Sequence, residues 1–147
     1  MPHIVKSTIL DAPTGRVWEV LRDFNGHDRW HPAVATSQIE RAQASDKIGC
    51  VRRFKLKDGS ELREQVLALS DFDQTFSYCL LDTPIPMFNY VAHVRLLPVT
   101  DGDRTFWHWE SRFTTRTGDA ERVAHMVGEE IYQGGFDAIR RHLQEAA

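Results

Sequence analysis

The chain has 147 residues, of which 41% are hydrophobic and 27% are charged, and its formal net charge at pH 7 is -3. Such values are those of an average globular protein, so we expect residues 1–147 to form a single domain with one core. Without a concentrated basic field, binding to nucleic acid or to an acidic membrane surface is not expected. Two cysteines without CxxC spacing, no hydrophobic signal run and no membrane-spanning stretch predict a protein of the reducing cytoplasm with free thiols.

The chain opens with a β-rich run over residues 3–10, followed by DAPTGRVWEVLRDF, in which Pro13 suits the first turn of a helix. Val17, Leu21 and Phe24 recur at helical spacing and predict an amphipathic surface helix. The next segment, NGHDRWHP at 25–32, contains two histidines four residues apart within a corner. Six β-like runs follow, each separated from the next by turn residues, at 34–42, 48–57, 61–69, 75–81, 88–97 and 104–114.

The last part of the chain reads as one long helix from Asp119 onward. Its apolar stripe consists of Val123, Val127, Ile131, Gly135, Ala138 and Leu143. The short spacers between the β-like runs imply antiparallel neighbours in a meander, and the order of elements predicts an α+β fold. A long helix lying across a curved sheet can leave a hollow between the two layers.

Three glycines interrupt the predicted long helix, at Gly128, Gly134 and Gly135. Each costs about 1 kcal/mol relative to alanine in a helix interior, so something has to compensate. Close packing of the helix on the sheet and room for a ligand are both compatible with the pattern.

Several short blocks in order, VWEVLRDF, RWHPAV, IGCVRRF, ELREQVLALSD, SYCLLDTPIPMFNY and WHWESRF, carry a resemblance to a known family. The chain resembles the SRPBCC or START-like superfamily of helix-grip proteins, in particular its polyketide cyclase/dehydratase-like branch. This resemblance implies a curved antiparallel sheet of about seven strands wrapped around a long C-terminal helix, with two short helices after the first strand. It also implies an apolar cavity between sheet and helix. Because cyclases, dehydratases, lipid carriers and hormone receptors share this scaffold, function follows less closely than fold.

Plant abscisic acid receptors and lachrymatory factor synthases resemble this chain at specific cavity positions. Gly49 with Arg52, then Glu64, then Asn89 with Tyr90 match their motifs, and the synthases use an arginine and a glutamate in catalysis. The interval between Arg52 and Glu64 is shorter than in either plant branch, so the intervening turn is expected to be clipped. A receptor with a gating lid is therefore disfavoured.

The alternation of residue types agrees with this set of positions. Arg52 shares a strand face with Phe54, and Glu64 shares one with Val66, so both charges lie in apolar stripes. A buried ion pair is the expected solution, with the Tyr90 hydroxyl as a third partner, and its role is either structural or functional. If the set is catalytic, Glu64 is the general base or acid, Arg52 holds a developing enolate or carboxylate oxygen, and Tyr90 relays or donates a proton.

The side chains expected to line the cavity are Trp30, Phe54, Val66, Tyr78, Leu80, Met87, Phe88, Ala92, Glu110, Val127, Ile131 and Gly135. Glu110 is placed there by the family resemblance alone. Alternation in TFWHWESRF instead groups Trp107 and Trp109 on the inward face, and the two indications remain open at this stage.

His27 and His31 have the spacing of metal ligands on a helix, but no third ligand is identifiable, so no metal site is predicted. By family resemblance, the segment is a short second helix with Trp30 near the cavity mouth. We expect His27 to face solvent and His31 to make a local hydrogen bond.

Two functions from different classes fit these observations. One is a cofactor-free cyclase, dehydratase or isomerase acting on a polyketide-like or other carbonyl compound. The other is a non-catalytic carrier or sensor of a hydrophobic ligand or lipid in the same cavity. A homodimer is left open, because related folds pair through loops and sheet edges.

Overall fold

The computed structural model describes residues 1–146. Its strands are β1 (His3–Leu10), β2 (Val34–Ile39), β3 (Val51–Leu56), β4 (Glu61–Ser70), β5 (Thr75–Asp82), β6 (Met87–Val99) and β7 (Arg104–Thr115). Helix α1 (Thr14–Leu21) follows β1, and 3₁₀ turns occupy Gly26–Arg29 and Glu40–Ala42. The C-terminal helix consists of three consecutive segments: α2 (Ala120–His125), a π-helical segment (Met126–Gln133) and α3 (Gly134–Glu145).

All seven strands belong to one sheet in the order β1-β7-β6-β5-β4-β3-β2, and every pair is antiparallel. The predicted meander is thus confirmed, with β1 returning to pair with β7. Strand β2 is shorter than expected because Arg41 and Ala42 adopt positive φ angles of 59° and 52°, which an extended strand does not accommodate. Together with the C-terminal helix, this sheet confirms the α+β helix-grip fold.

The C-terminal helix lies against one face of the sheet through aromatic contacts. On β7 the buried residues alternate, so Trp107 and Trp109 point toward the helix. Trp107 meets the ring of Phe136 edge-on at 4.6 Å, and Trp109 stacks on Tyr132 at 4.0 Å between ring centroids. None of the helices within residues 1–146 has the length and apolarity needed to cross a bilayer.

The π-helical segment shifts the buried stripe of this helix. Val127 and Tyr132 are both fully buried although they are five residues apart, a spacing that suits the i→i+5 hydrogen bonding of a π-helix. The stripe predicted from regular α-helical spacing continued instead through Ile131, which is only half-buried. Tyr132 and Phe136 were therefore missed as core residues.

One of the interrupting glycines packs tightly on the sheet. A Cβ atom at Gly135 would lie 2.9 Å from Cζ3 of Trp109, closer than real side chains approach. At Gly134, by contrast, a Cβ would meet no atom within 4 Å. Close helix-to-sheet packing thus accounts for Gly135, and the expectation that it lines the cavity is wrong.

A bulge in β6 corrects another expectation. Asn89 has a φ of 56°, and the pairing of β6 with β7 shifts register between Phe88 and Val91. The extra residue reverses the alternation before Tyr90, so Met87 is buried while Phe88 is 47% exposed. Phe88 therefore does not line the cavity, because its side chain lies on the outer face.

Candidate functional site

A cavity of about 450 Å³ lies between the sheet and the C-terminal helix. Strands β3 to β7, the 3₁₀ turn Gly26–Arg29 and the π-helical segment all contribute to its wall. Of the residues predicted from sequence, those that line it are Trp30, Arg52, Phe54, Glu64, Tyr78, Leu80, Met87, Tyr90 and Ile131.

The other predicted cavity residues lie elsewhere. Val66, Ala92 and Val127 are at most 1% exposed and belong to the packed core around the cavity rather than to its surface. Phe88 and Gly135 are excluded by the bulge and by the packing described above. For Val66, Ala92 and Val127, regular periodicity identified buried positions correctly, but burial alone did not place them at the cavity.

Glu110 lies on the outer face of the sheet. Its carboxylate pairs with His3 at 2.8 Å and with His108 at 3.3 Å, and the hydrogen bond from His3 is the main cause that lowers its pKa. Trp107 and Trp109 occupy the inward positions that alternation favoured. Expecting Glu110 in the cavity was wrong, because β7 has no bulge in its pairing with β1 that would reverse its faces.

Arg52 and Glu64 form an ion pair in the cavity wall. They are direct cross-strand partners on β3 and β4, and their side chains are 12% and 9% exposed. Arg52 donates from Nε at 2.9 Å and from Nη2 at 2.6 Å, both to Oε1 of Glu64. A third hydrogen bond runs from Nη1 to the carbonyl oxygen of Phe24 at 2.6 Å, and the guanidinium stacks 3.8 Å from the centre of the Phe24 ring. Two elements of the fold thus hold the arginine in place.

Three tyrosines and a tryptophan form a second polar group, which we term the tyrosine cluster: Tyr78, Tyr90, Trp109 and Tyr132. The Tyr90 and Tyr132 hydroxyls are 2.5 Å apart, and Trp109 Nε1 donates to the Tyr78 hydroxyl at 3.2 Å. Burial is the main cause that raises the pKa of each tyrosine, so all three stay protonated at neutral pH. The expected third partner of the ion pair, Tyr90, is instead hydrogen-bonded to Tyr132 within the described residues.

His27 lies at the cavity as well, contrary to the expectation that it faces solvent. The residue is 6% exposed, and its ring meets Phe54 edge-on at 4.7 Å between ring centroids. Burial, followed by the positive charges of Arg52 and His31, lowers its pKa well below the ordinary value of 6.5. The three-residue spacing of His27 and Trp30 was the signal available in the sequence, since residues three apart share one side of a 3₁₀ turn.

The neighbouring histidine behaves as expected. His31 Nδ1 accepts a hydrogen bond from the backbone N–H of Ala33 at 3.2 Å, and this local contact fixes the corner before β2. The short second helix is present as the 3₁₀ turn Gly26–Arg29. Within residues 1–146, no three His, Cys, Asp or Glu side chains are grouped as ligands for a metal ion.

Solved structures share this fold at low sequence identity. XoxI from Bacillus cereus aligns with a TM-score of 0.86 at 22% identity, covering 97% of this chain and 95% of its own. A START superfamily protein from Mycobacterium smegmatis gives 0.82 at 11% identity over 99% of both chains. Major latex-like protein 151 from Panax ginseng gives 0.78 at 11% identity over 96% of both chains. A comparison with curated proteins finds no match.

The sequence also matches a protein family described as "Polyketide cyclase / dehydrase and lipid transport" over residues 1–144. That match spans every strand of the sheet, the cavity and nearly all of the C-terminal helix. The chain therefore belongs to the polyketide cyclase / dehydrase and lipid transport family.

Proposed function

We propose that this protein binds a hydrophobic small molecule in the cavity between the sheet and the C-terminal helix. The observation that carries the proposal is a cavity of about 450 Å³ whose wall is mostly apolar but contains one ion pair, Arg52 with Glu64. Small-molecule sites commonly occupy about 300–1,000 Å³ and combine apolar walls with a few converging polar groups. Phe54, Leu80 and Met87 supply part of the apolar surface.

The ion pair supports a specific role in orienting that ligand. A guanidinium has five N–H donors, and the bonds to Glu64 and Phe24 use three of them, which leaves two. An oxygen of the ligand is the natural acceptor for those two donors. Because the guanidinium is held by both a carboxylate and a backbone carbonyl, binding would cost little side-chain entropy.

A second candidate function is proton-transfer catalysis on a carbonyl compound, and the position of Glu64 favours it. Both bonds from Arg52 end on Oε1, so Oε2 receives none from that residue. Glu64 would take a proton from the carbon beside the carbonyl, and the C–H electron pair would move to give an enolate held by Arg52. Return of the proton from Glu64 to another carbon is an isomerisation, whereas its transfer to a β-hydroxyl, which then leaves as water while the C=C bond forms, is a dehydration. Attack of the enolate on a second carbonyl forms a C–C bond, and the resulting alkoxide takes the proton from Glu64, which completes a cyclisation.

Tyr90 fits this chemistry as a neutral hydrogen-bond donor. Its hydroxyl pairs with Tyr132, and its raised pKa keeps it protonated at neutral pH. It would donate to a ligand oxygen or relay a proton through Tyr132, with no cofactor involved. As a carrier site, the same cavity would need only one of these polar groups.

Binding of the neutral dye Nile red tests the first proposal. Leu80→Trp places a large side chain in the cavity, whereas Leu97→Trp is a matched control on the outer face, where Leu97 is 41% exposed. We expect dye fluorescence to rise with the wild type and the Leu97→Trp variant and to be largely lost with Leu80→Trp. Equal signals from all three proteins would mean that the dye binds outside the cavity, which would contradict the proposal.

A Glu64→Gln variant distinguishes a catalytic function from a ligand-carrier function. Mass spectrometry of molecules that co-purify with the wild type would first identify the bound compound or its class. If Glu64 is the base, the variant retains binding and loses turnover of that compound. Turnover at the wild-type rate would exclude the catalytic role of Glu64, while leaving the binding function intact.

A further inference from the structure

The 3₁₀ turn Gly26–Arg29 and the residue after it place His27 and Trp30 in the cavity wall, and both side chains carry buried polar atoms that have no partner within residues 1–146. These atoms are Nδ1 and Nε2 of His27 and Nε1 of Trp30. Buried polar atoms are nearly always hydrogen-bonded, and an unpaired one costs stability. His27 is itself only 6% exposed, so bulk solvent does not readily replace a partner.

The turn places both side chains in the wall of the same cavity. His27 and Trp30 are three residues apart, and in a 3₁₀ turn side chains at this spacing lie one above the other. The backbone N–H of Trp30 donates to the carbonyl oxygen of His27 at 3.3 Å, which continues the turn through Trp30. Both residues lie in the cavity wall, where the His27 ring packs against Phe54 and the Trp30 ring against His31.

The chemistry of these atoms defines what they can bind. The indole N–H is a donor only, whereas a neutral imidazole offers one donor and one acceptor. The lowered pKa of His27 supports the neutral form at physiological pH. A hydroxyl group can accept from Trp30 and donate to His27, and a carbonyl oxygen can accept from both.

The charges around the cavity argue against an anionic ligand. Among the described residues that line it, Arg52 is the only lysine or arginine, and its charge is already compensated by Glu64. Asp58 and Glu130 add carboxylates at the exposed rim. A fatty-acid carboxylate or a lipid phosphate would have to lose its hydration without gaining an uncompensated cation, which is costly.

From these observations we infer that the ligand is an uncharged hydrophobic molecule whose hydroxyl or carbonyl group hydrogen-bonds to His27 and Trp30. The inference rests on the binding function proposed above and specifies the chemical class of its ligand. It also assigns His27 as a specificity-determining residue.

Three rigid probes of similar shape test it by titration calorimetry at pH 7.5: naphthalene, 2-naphthol and 2-naphthoate. We expect 2-naphthol to bind about tenfold more tightly than naphthalene, as one or two buried hydrogen bonds would provide. We expect 2-naphthoate to bind more weakly than both. If naphthalene binds but 2-naphthol gains nothing, or if 2-naphthoate binds as well as 2-naphthol, the inference is wrong and the binding function stands. If none of the three probes binds, the proposed binding function fails together with the inference.

Two conservative variants test whether His27 and Trp30 cause the preference for 2-naphthol over naphthalene. His27→Phe keeps a ring against Phe54 and Trp30→Phe keeps an aromatic wall, but each removes the polar atoms. Both should lower the affinity for 2-naphthol by a larger factor than the affinity for naphthalene, so that the two probes bind nearly equally. His93→Phe on the outer face is the matched control, and thermal unfolding checks that all three variants are folded.

The comparison of the two probes keeps this second experiment decisive. Should the variants weaken 2-naphthol and naphthalene equally, His27 and Trp30 contribute only shape, and the assignment of hydrogen bonds is overturned. An unchanged preference for 2-naphthol in both variants would place its polar group elsewhere in the cavity and would overturn the assignment as well.

Discussion

Tyr78, Tyr90 and Trp109 of the tyrosine cluster line the same cavity as His27 and Trp30, but the hydrogen bonding of the two regions differs. In the cluster, the hydroxyls of Tyr90 and Tyr132 pair with each other and Trp109 donates to Tyr78. At the turn, both ring nitrogens of His27 and the indole N–H of Trp30 lack partners within residues 1–146. Paired groups stabilise the fold before any ligand arrives, whereas unpaired groups gain most from one. Burial of a polar residue thus says less about its role than the state of its hydrogen bonds.

Arg52 lies between these two regions, and its removal should have the largest effect. The Arg52→Met variant leaves the Glu64 carboxylate buried without a counter-ion, so we expect a loss of about 3 kcal/mol in the free energy of unfolding. Urea denaturation of this variant, of Glu64→Leu and of the double variant forms a cycle. We expect the double variant to be more stable than Arg52→Met alone. Strict additivity would show that the two side chains are not coupled.

The contact between Gly135 and Trp109 should come next. A methyl group at Gly135 would collide with the Trp109 ring and displace it from Tyr132 and Tyr78, so Gly135→Ala should destabilise the protein by about 2 kcal/mol. Gly134→Ala is the matched control, because its methyl group meets nothing within 4 Å and alanine favours helix by up to about 1 kcal/mol. Thermal melts of the two variants should shift in opposite directions. Shifts in the same direction would disprove the packing account of Gly135.

Removal of one hydroxyl from the tyrosine cluster should have a smaller effect. Tyr132→Phe breaks the bond to Tyr90 and leaves that hydroxyl unpaired, which should cost about 1 kcal/mol in unfolding free energy. His27→Phe removes atoms that have no partner and should cost less, or even stabilise the protein in the absence of ligand. The same denaturation assay compares them. If His27→Phe is the more damaging variant, the contrast between the two regions is mistaken.

The pH dependence of stability is expected to show the smallest effect, and it tests His27 specifically. His27 is neutral in the folded protein, and its folded pKa lies below the ordinary 6.5 of an unfolded chain. As pH falls below 6.5, the unfolded state takes up a proton that the folded state does not, so stability declines until the folded pKa is reached. The slope from this group is at most about 1.4 kcal/mol per pH unit.

The neighbours Arg52 and His31 also affect this measurement, so the wild type is compared with the His27→Phe variant. Both lower the pKa of His27, and His31 has a lowered pKa of its own, so it contributes a slope of the same sign. Denaturation at several values between pH 5 and 7.5 should show a shallower decline for His27→Phe than for the wild type. Parallel curves would mean that His27 is protonated equally in both states.

Regular periodicity predicted much of the fold and part of the site. Two-residue alternation placed Arg52 and Glu64 on inward faces, and the short turn between β3 and β4 made them direct partners. The same alternation placed Trp107 and Trp109 correctly where the family resemblance had suggested Glu110. These features are local, because a strand has only two faces and a short turn leaves few registers.

Two of the errors occur where the regular period is interrupted. A left-handed Asn89 reverses β6, so that Met87 rather than Phe88 faces the cavity. A π-helical segment advances the helix by one residue, so that Tyr132 meets Tyr90 and Trp109. Neither interruption has a distinctive residue pattern, since each is stabilised by contacts with distant parts of the chain.

By itself, the sequence determined the order of the elements, the inward faces of the strands and the charged pair in an apolar wall. Only the tertiary structure decided which polar groups in that wall are paired, because hydrogen bonds such as Tyr90 to Tyr132 join residues far apart in the chain. It also decided that His27 turns inward, since Phe54 on a different element forms the surface against which its ring packs. Local propensities act over a few residues, whereas a binding site depends on side chains that meet only after the sheet has closed around the helix.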